Sequence, residues 1–240
     1  MKTFLKGIIF ALILVLIFNP SISSLKANAA TSLTEKAESE LDSLDNYLND
    51  YSTNTAEKSG VIGMTNQEIE KDVSSIKKQI DDLSTEKKEK LAYYLSNPAA
   101  LQKALEDENN NDVVLEEEMD QPPVNLYSVT STRNATYSYT MKLFKIKMTK
   151  YVVSVKYQTS GGRVKKIVAS SGYLDKNYNP IVRTARIQKT AWIANNRAKT
   201  TSRFSYSLIN KSYGIQIGTV TLHVEGTSGG ARYNGYAKLS

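Results

Sequence analysis

The apolar period of this chain changes once, and that change limits each part to one kind of secondary structure. Leu33, Ala37, Leu41, Leu44, Leu48 and Tyr51 recur every three or four residues, as do Ile69, Val73, Ile76, Ile80 and Leu83. Such spacing keeps apolar groups on one face of a helix while the intervening Glu, Asp and Lys face water. Start signals accompany the pattern. Ser32 with Glu35 and Thr65 with Glu68 both fit a capping box, which satisfies free backbone N–H groups at a helix start. Ser84 or Thr85 can restart the chain into a helix carrying Leu91 and Leu95. Asn97 before Pro98 fits a cap and a first-turn proline ahead of Leu101 and Leu105. Helices are predicted throughout 30–105.

Beyond residue 125 the period falls to two. Tyr137, Tyr139, Met141 and Leu143 share one face of an extended strand. The apolar set then moves to Phe144, Ile146 and Met148, as a bulge or a strand crossing between sheets requires. Val153, Val155 and Tyr157 continue as the next strand, and further β runs cover 164–169, 181–193, 203–209, 215–224 and 233–239. Turn chemistry falls at Gly161-Gly162, Ser171-Gly172, 175–180, Asn195-Asn196, Asn210-Lys211 and 226–230. Strands rich in Val, Ile, Thr and Tyr with such punctuation predict an antiparallel β-sandwich or barrel. The expected fold class is α+β in two modules: an acidic helical segment at 30–105 and a β domain at 126–240. Between them, residues 106–125 (EDENNNDVVLEEEMDQPPVN) combine charge and Asn runs with Pro122-Pro123. They are expected to form an extended, solvated linker open to proteolysis.

Charge divides at the same place. Residues 30–121 hold 22 carboxylates against nine Lys and Arg, whereas 122–240 hold 19 Lys and Arg against only Asp175 and Glu225. An acidic segment tied to a basic one predicts two modules that clamp together, or a tail that covers a cationic surface. Within the basic module, cations alternate with apolar residues. Lys142, Lys145, Lys147, Lys156, Arg163, Lys165, Lys166, Arg183, Arg186 and Lys189 are the candidate contacts to an anionic surface, because period two places such charges on a solvent face of each strand.

The first 29 residues have the pattern of a secretory signal peptide. Lys2 and Lys6 precede an unbroken apolar run at 8–18 (IIFALILVLIF), and Ala27-Asn28-Ala29 supplies small residues for cleavage between Ala29 and Ala30. The chain contains no cysteine, which removes disulfides, iron–sulfur clusters and thiol catalysis together. The leader and the lack of cysteine fit a protein secreted from a Gram-positive bacterium into the medium.

The same composition argues against an enzyme. Hydrolysis by acid–base chemistry needs two placed carboxylates, or a histidine with an orienting partner. The β module offers Asp175, Glu225 and the chain's one histidine, His223, whose place in VTLHVEG reads as an exposed strand position. No G-x-S-x-G elbow, zinc-ligand spacing, EF-hand loop or phosphate-binding glycine loop occurs. No catalytic residue, metal or cofactor is expected.

Two classes of function remain. One is an effector that acts on anionic envelopes, with lipid or teichoic acid as its target. The other is a structural or adhesive envelope protein that binds anionic polymers by charge, with no specific nucleic-acid partner. In the first, the acidic helices would cover the cationic module until export. The layout of leader, helical KLAYYLSNPAALQKAL, linker with QPP, and β module with SVKYQTSGGRVKKIVASSGYL and KTAWIANN resembles large, cysteine-free secreted bacteriocins of bacilli, of the geobacillin type. That resemblance implies an antibacterial protein acting on related Gram-positive cells, and it carries over no site residue.

Overall fold

The computed structural model describes residues 20–107, 109–120, 130–210, 214–230 and 232–240. The apolar run of the leader, Pro122-Pro123 and Lys211 lie outside the described residues. The chain divides between Lys36 and Ala37, and Ala37–Ser240 is one compact unit.

Helix α1 (Pro20–Asn49) runs unbroken through Ser32, so the Ser32–Glu35 pair does not start a helix as expected. Alanines at 27, 29, 30 and 37 favour propagation at this point. The Ala29–Ala30 bond lies within this helix. Two short helices and two longer ones follow: α2 (Thr53–Lys58), α3 (Asn66–Asp81), α4 (Thr85–Ser96) and α5 (Pro98–Glu106). At α3 the predicted box forms in full. Thr65 Oγ1 accepts from the Glu68 N–H at 3.3 Å, and the Glu68 carboxylate accepts from the Thr65 N–H at 2.9 Å. Asn97 caps α5 by accepting from the Ala100 N–H at 3.1 Å. With six residues, α2 is too short to leave a periodic trace in the sequence.

Two four-stranded antiparallel sheets make up the rest. The first has the order β1 (Val113–Asp120), β2 (Thr130–Leu143), β3 (Ile146–Ser160), β4 (Arg163–Asn177). The second has the order β5 (Val182–Ala194), β6 (Arg197–Asn210), β7 (Gly214–Thr227), β8 (Arg232–Leu239).

The sheets differ from the expectation, in whole or in part, at three places. The phase change after Leu143 combines the expected irregularity, a register shift between Met141 and Lys142, with a two-residue hairpin turn that joins Leu143 to its partner Ile146. Phe144 and Lys145 both take positive φ, 50° and 71°. Tight hairpins need that at both central residues, and Gly161-Gly162 and Asn195-Asn196 supply it in the usual way. Phe144 is held there by burial, by its N–H donating to the Asp112 carbonyl at 2.7 Å, and by its ring against Tyr94.

Second, residues 113–120 of the expected linker are a strand, paired along their length with β2. Val113 and Leu115 pack into or against the core, on the face opposite to Glu116 and Glu118. The run of glutamates hides this alternation from a composition-based reading. Third, Ser171-Gly172 is not a turn, because β4 passes straight through it. A Cβ on Gly172 would lie 1.9 Å from Ser202 Oγ of β6. Glycine there permits close approach of the other sheet rather than a reversal.

Inward residues alternate as predicted: Tyr137, Tyr139, Met141 and Leu143 in β2, Val153, Val155 and Tyr157 in β3, and Val220, Leu222 and Val224 in β7. They belong to the same buried cluster as Leu44, Leu48, Leu91 and Leu101 of the helices. The helices attach at one end of the strands. There the Tyr51 hydroxyl donates to the Asn177 carbonyl at 2.9 Å, and the Tyr206 hydroxyl to Gln102 at 2.8 Å. At the other end, Asn196 accepts from the Val164 N–H and donates to the Gly162 carbonyl, tying two hairpin turns together. Along β6, Tyr206 lies ten residues beyond Asn196, and at about 3.3 Å per residue roughly 33 Å separates that turn from the helix contact.

Candidate functional site

The ten candidate cations do not share a face. Lys142 pairs with Glu116 and Lys147 with Glu118, both carboxylates of β1. Lys150 joins the second pair, 3.1 Å from Glu118 and 4.0 Å from Asp175. The hydrogen bond from Lys147, aided by that from Lys150, holds the Glu118 carboxyl down at about 2. The cover over this part of the basic domain is therefore strand β1. Between the acidic helices and the sheets, Asp72 of α3 pairs with Lys176 of β4 at 2.5 Å. Asp72 also accepts from the Tyr178 hydroxyl at 3.0 Å. Lys145 is exposed at the strained turn beside α3.

Arg186 and Lys189 are exposed as expected, but on the other side of the strand. The register of β5 shifts between Arg186 and Gln188, so both residues stand on the side of buried Phe204 and Ser202. Arg186 donates to the Gly172 carbonyl at 2.8 Å and Lys189 to the Ser170 carbonyl at 2.9 Å. Cations laid along a free strand edge in this way block further strand addition. Arg183, on the opposite face, donates to the Pro180 and Val182 carbonyls.

Lys156, Arg163, Lys165 and Lys166 are exposed on β3 and β4, and among the described residues none has a carboxylate partner. On β4 and β5, Val168, Ile187 and Ile193 are also exposed. Val168 thus stands among these cations on β4 and Ile193 lies near the same end of β5, whereas Ile187 lies further along, level with Gly172, whose carbonyl its neighbour Arg186 binds.

A second constellation lies on the outward face of β5–β8, and it overturns the expectation for His223. The ring is buried, with 5% exposure. An ionised carboxylate only accepts, so His223 Nε2–H donates to Glu225 at 3.1 Å, while Nδ1 is hydrogen-bonded with the Thr201 hydroxyl at 2.8 Å. Tyr236 stacks on the imidazole at 5.0 Å, and Trp192 covers it from the other side at 5.8 Å. Lys199 and Arg197 reach the Glu225 carboxylate at 2.7 and 3.3 Å. The Arg197 guanidinium in turn lies 3.1 Å over the Tyr233 ring. Burial pushes the Glu225 carboxyl up, but hydrogen bonds from Lys199 and His223 outweigh it and leave the group below its ordinary value.

The order hydroxyl, imidazole, carboxylate matches an activated nucleophile in outline. Here the carboxylate is shared among three donors, and aromatic rings close over the imidazole. The arrangement fixes rings and charges in place on a sheet face. The alternation in VTLHVEG shows that His223 and Glu225 share a side. The partners that bury them come from β5, β6 and β8, which no local pattern connects.

No family model matches this chain, and neither curated proteins nor solved structures give a match.

Proposed function

We propose that this chain is a secreted, non-enzymatic antibacterial protein of the bacteriocin kind. In this reading the two sheets pack as a β-sandwich that delivers a cationic surface to the envelope of related Gram-positive bacteria. The observation that carries the reading is exposed Val168 on the strand that bears the unpaired Arg163, Lys165 and Lys166, with exposed Ile193 of β5 near the same strand end, where Asn196 accepts from the Val164 N–H. Each basic residue near an anionic bilayer contributes about 1 kcal/mol of attraction, and exposed aliphatic groups beside it add apolar burial at the headgroup boundary. The leader pattern at 1–29 supports export. Glu116 and Glu118 keep a separate lysine stripe neutral, so the active charge is concentrated on the β4–β5 side.

The test is sedimentation and dye release with vesicles rich in phosphatidylglycerol, against vesicles of phosphatidylcholine alone. The expected result is salt-sensitive association and leakage with the anionic vesicles only. Lys165→Gln with Lys166→Gln should weaken association about tenfold or more, on the 1 kcal/mol-per-charge scale. Association with neither vesicle, or equal association with both, would sink the reading.

A structural or adhesive role in binding anionic envelope polymers is the second reading. The ordered aromatic and basic face around His223 favours it.

A further inference from the structure

We infer that the outward face of β5–β8 is a binding face for an acidic polysaccharide, sugar rings bearing carboxylate or phosphate groups. This goes beyond the bilayer contact proposed above and uses other residues.

Strand pairing places three rows of side chains on this face. Gln188, Arg203, Thr221 and Lys238 form one row across the four strands. Thr190, Thr201, His223 and Tyr236 form the next, and Trp192, Lys199, Glu225 and Asn234 the third. With strands about 4.8 Å apart and rows about 6.8 Å apart, the patch is roughly 14 Å on each side. Trp192, Tyr233 and Tyr236 are 40–56% exposed, so ring surface is open to a ligand although His223 beneath it is buried.

Three features select the ligand chemistry. Aromatic rings gain by covering the apolar C–H faces of another ring, and Trp and Tyr do so with a polar group left at the rim. Beside the rings stand Thr190, Thr221 and Asn234, whose polar groups would lose water without compensation against hydrocarbon. A hydroxyl-rich ligand returns those hydrogen bonds, which sets this face apart from the aliphatic β4–β5 edges. Charge completes the match: Arg197, Lys199, Arg203 and Lys238 stand against the single carboxylate of Glu225. Arg203 and Lys238 are exposed and among the described residues have no carboxylate partner.

The site is also held ready. Trp192 and Tyr236 are fixed against His223, and Tyr233 under Arg197, before any ligand arrives. Fixed side chains lose little freedom on binding.

Trp192 is the chain's only tryptophan, so its emission reports this face and nothing else. The full chain is titrated with polygalacturonate (rings and charge), dextran (rings alone), polyphosphate (charge alone) and phosphatidylglycerol vesicles. Polygalacturonate is expected to change Trp192 emission saturably, while dextran and polyphosphate each bind at least tenfold more weakly. Tyr236→Ala, with folding verified by far-ultraviolet circular dichroism, should weaken polygalacturonate roughly tenfold. Lys165→Gln with Lys166→Gln should leave it unchanged. Polyphosphate equal to polygalacturonate would overturn the need for rings, and a response to vesicles alone would reassign the face to lipid. No response to polygalacturonate would remove the site. Vesicle sedimentation reads the bilayer proposal independently, since the lysine variant affects that measurement alone.

Discussion

Lys145 occupies a left-handed backbone position that an L side chain adopts at a penalty of about 1–2 kcal/mol, next to Phe144 in the same state. The two differ in what they gain. Phe144 is buried against Tyr94 and its N–H reaches Asp112, whereas the Lys145 side chain is exposed. Lys145→Gly is therefore expected to stabilise the protein by about 1 kcal/mol, seen as a higher urea midpoint with an unchanged slope. A lower midpoint would show that the Lys145 side chain has a stabilising role of its own. Legibility at this scale followed side-chain chemistry. Asn195-Asn196 and Gly161-Gly162 announce their positive φ by residue type, but Phe144-Lys145 does not, because its turn is enforced by contacts from 94 and 112.

Strand β1 shows how an element can be overlooked. Its glutamates read as a solvated run, yet Glu116 and Glu118 face Lys142, Lys147 and Lys150 across the sheet. Since the folded carboxyl of Glu118 lies near 2 rather than its ordinary 4.5, its contribution to stability is complete above 4.5. It fades as pH falls from there through about 2. Glu118→Gln removes that dependence. Urea midpoints measured from pH 6 to pH 2 should fall less steeply in the variant than in the parent, with the parent more stable at pH 6. Parallel curves would mean that Glu118 is not the titrating partner. The lysines of the pair were legible as charges on a strand, while their neutralisation was not, because it needs the register of β1 on β2.

On the scale of the whole molecule, helices and sheets share one buried cluster from Leu44 to Val224. Leu101 of α5 is fully buried within it. Leu101→Ala should destabilise by about 2–5 kcal/mol, and helical and β signals should be lost in one thermal transition. Separate transitions would show that the helical segment folds on its own. The core is continuous because the helices cap one strand end through Tyr51, Tyr178 and Tyr206.

By itself the sequence determined the two periodicities, the cap at Thr65, most strand positions, the inward alternation of β2, β3 and β7, and the surplus of positive charge after residue 125. Each of these depends on residues within a few positions of one another. Tertiary structure alone decided that 113–120 joins a sheet, that Gly172 serves close packing, and that Arg186 and Lys189 bind an edge while Lys165 and Lys166 stay free. It also decided that His223 is buried beneath Trp192 and Tyr236. Those outcomes depend on which strands become neighbours, and neighbours in a sheet come from positions far apart in the chain, where no local spacing records the pairing.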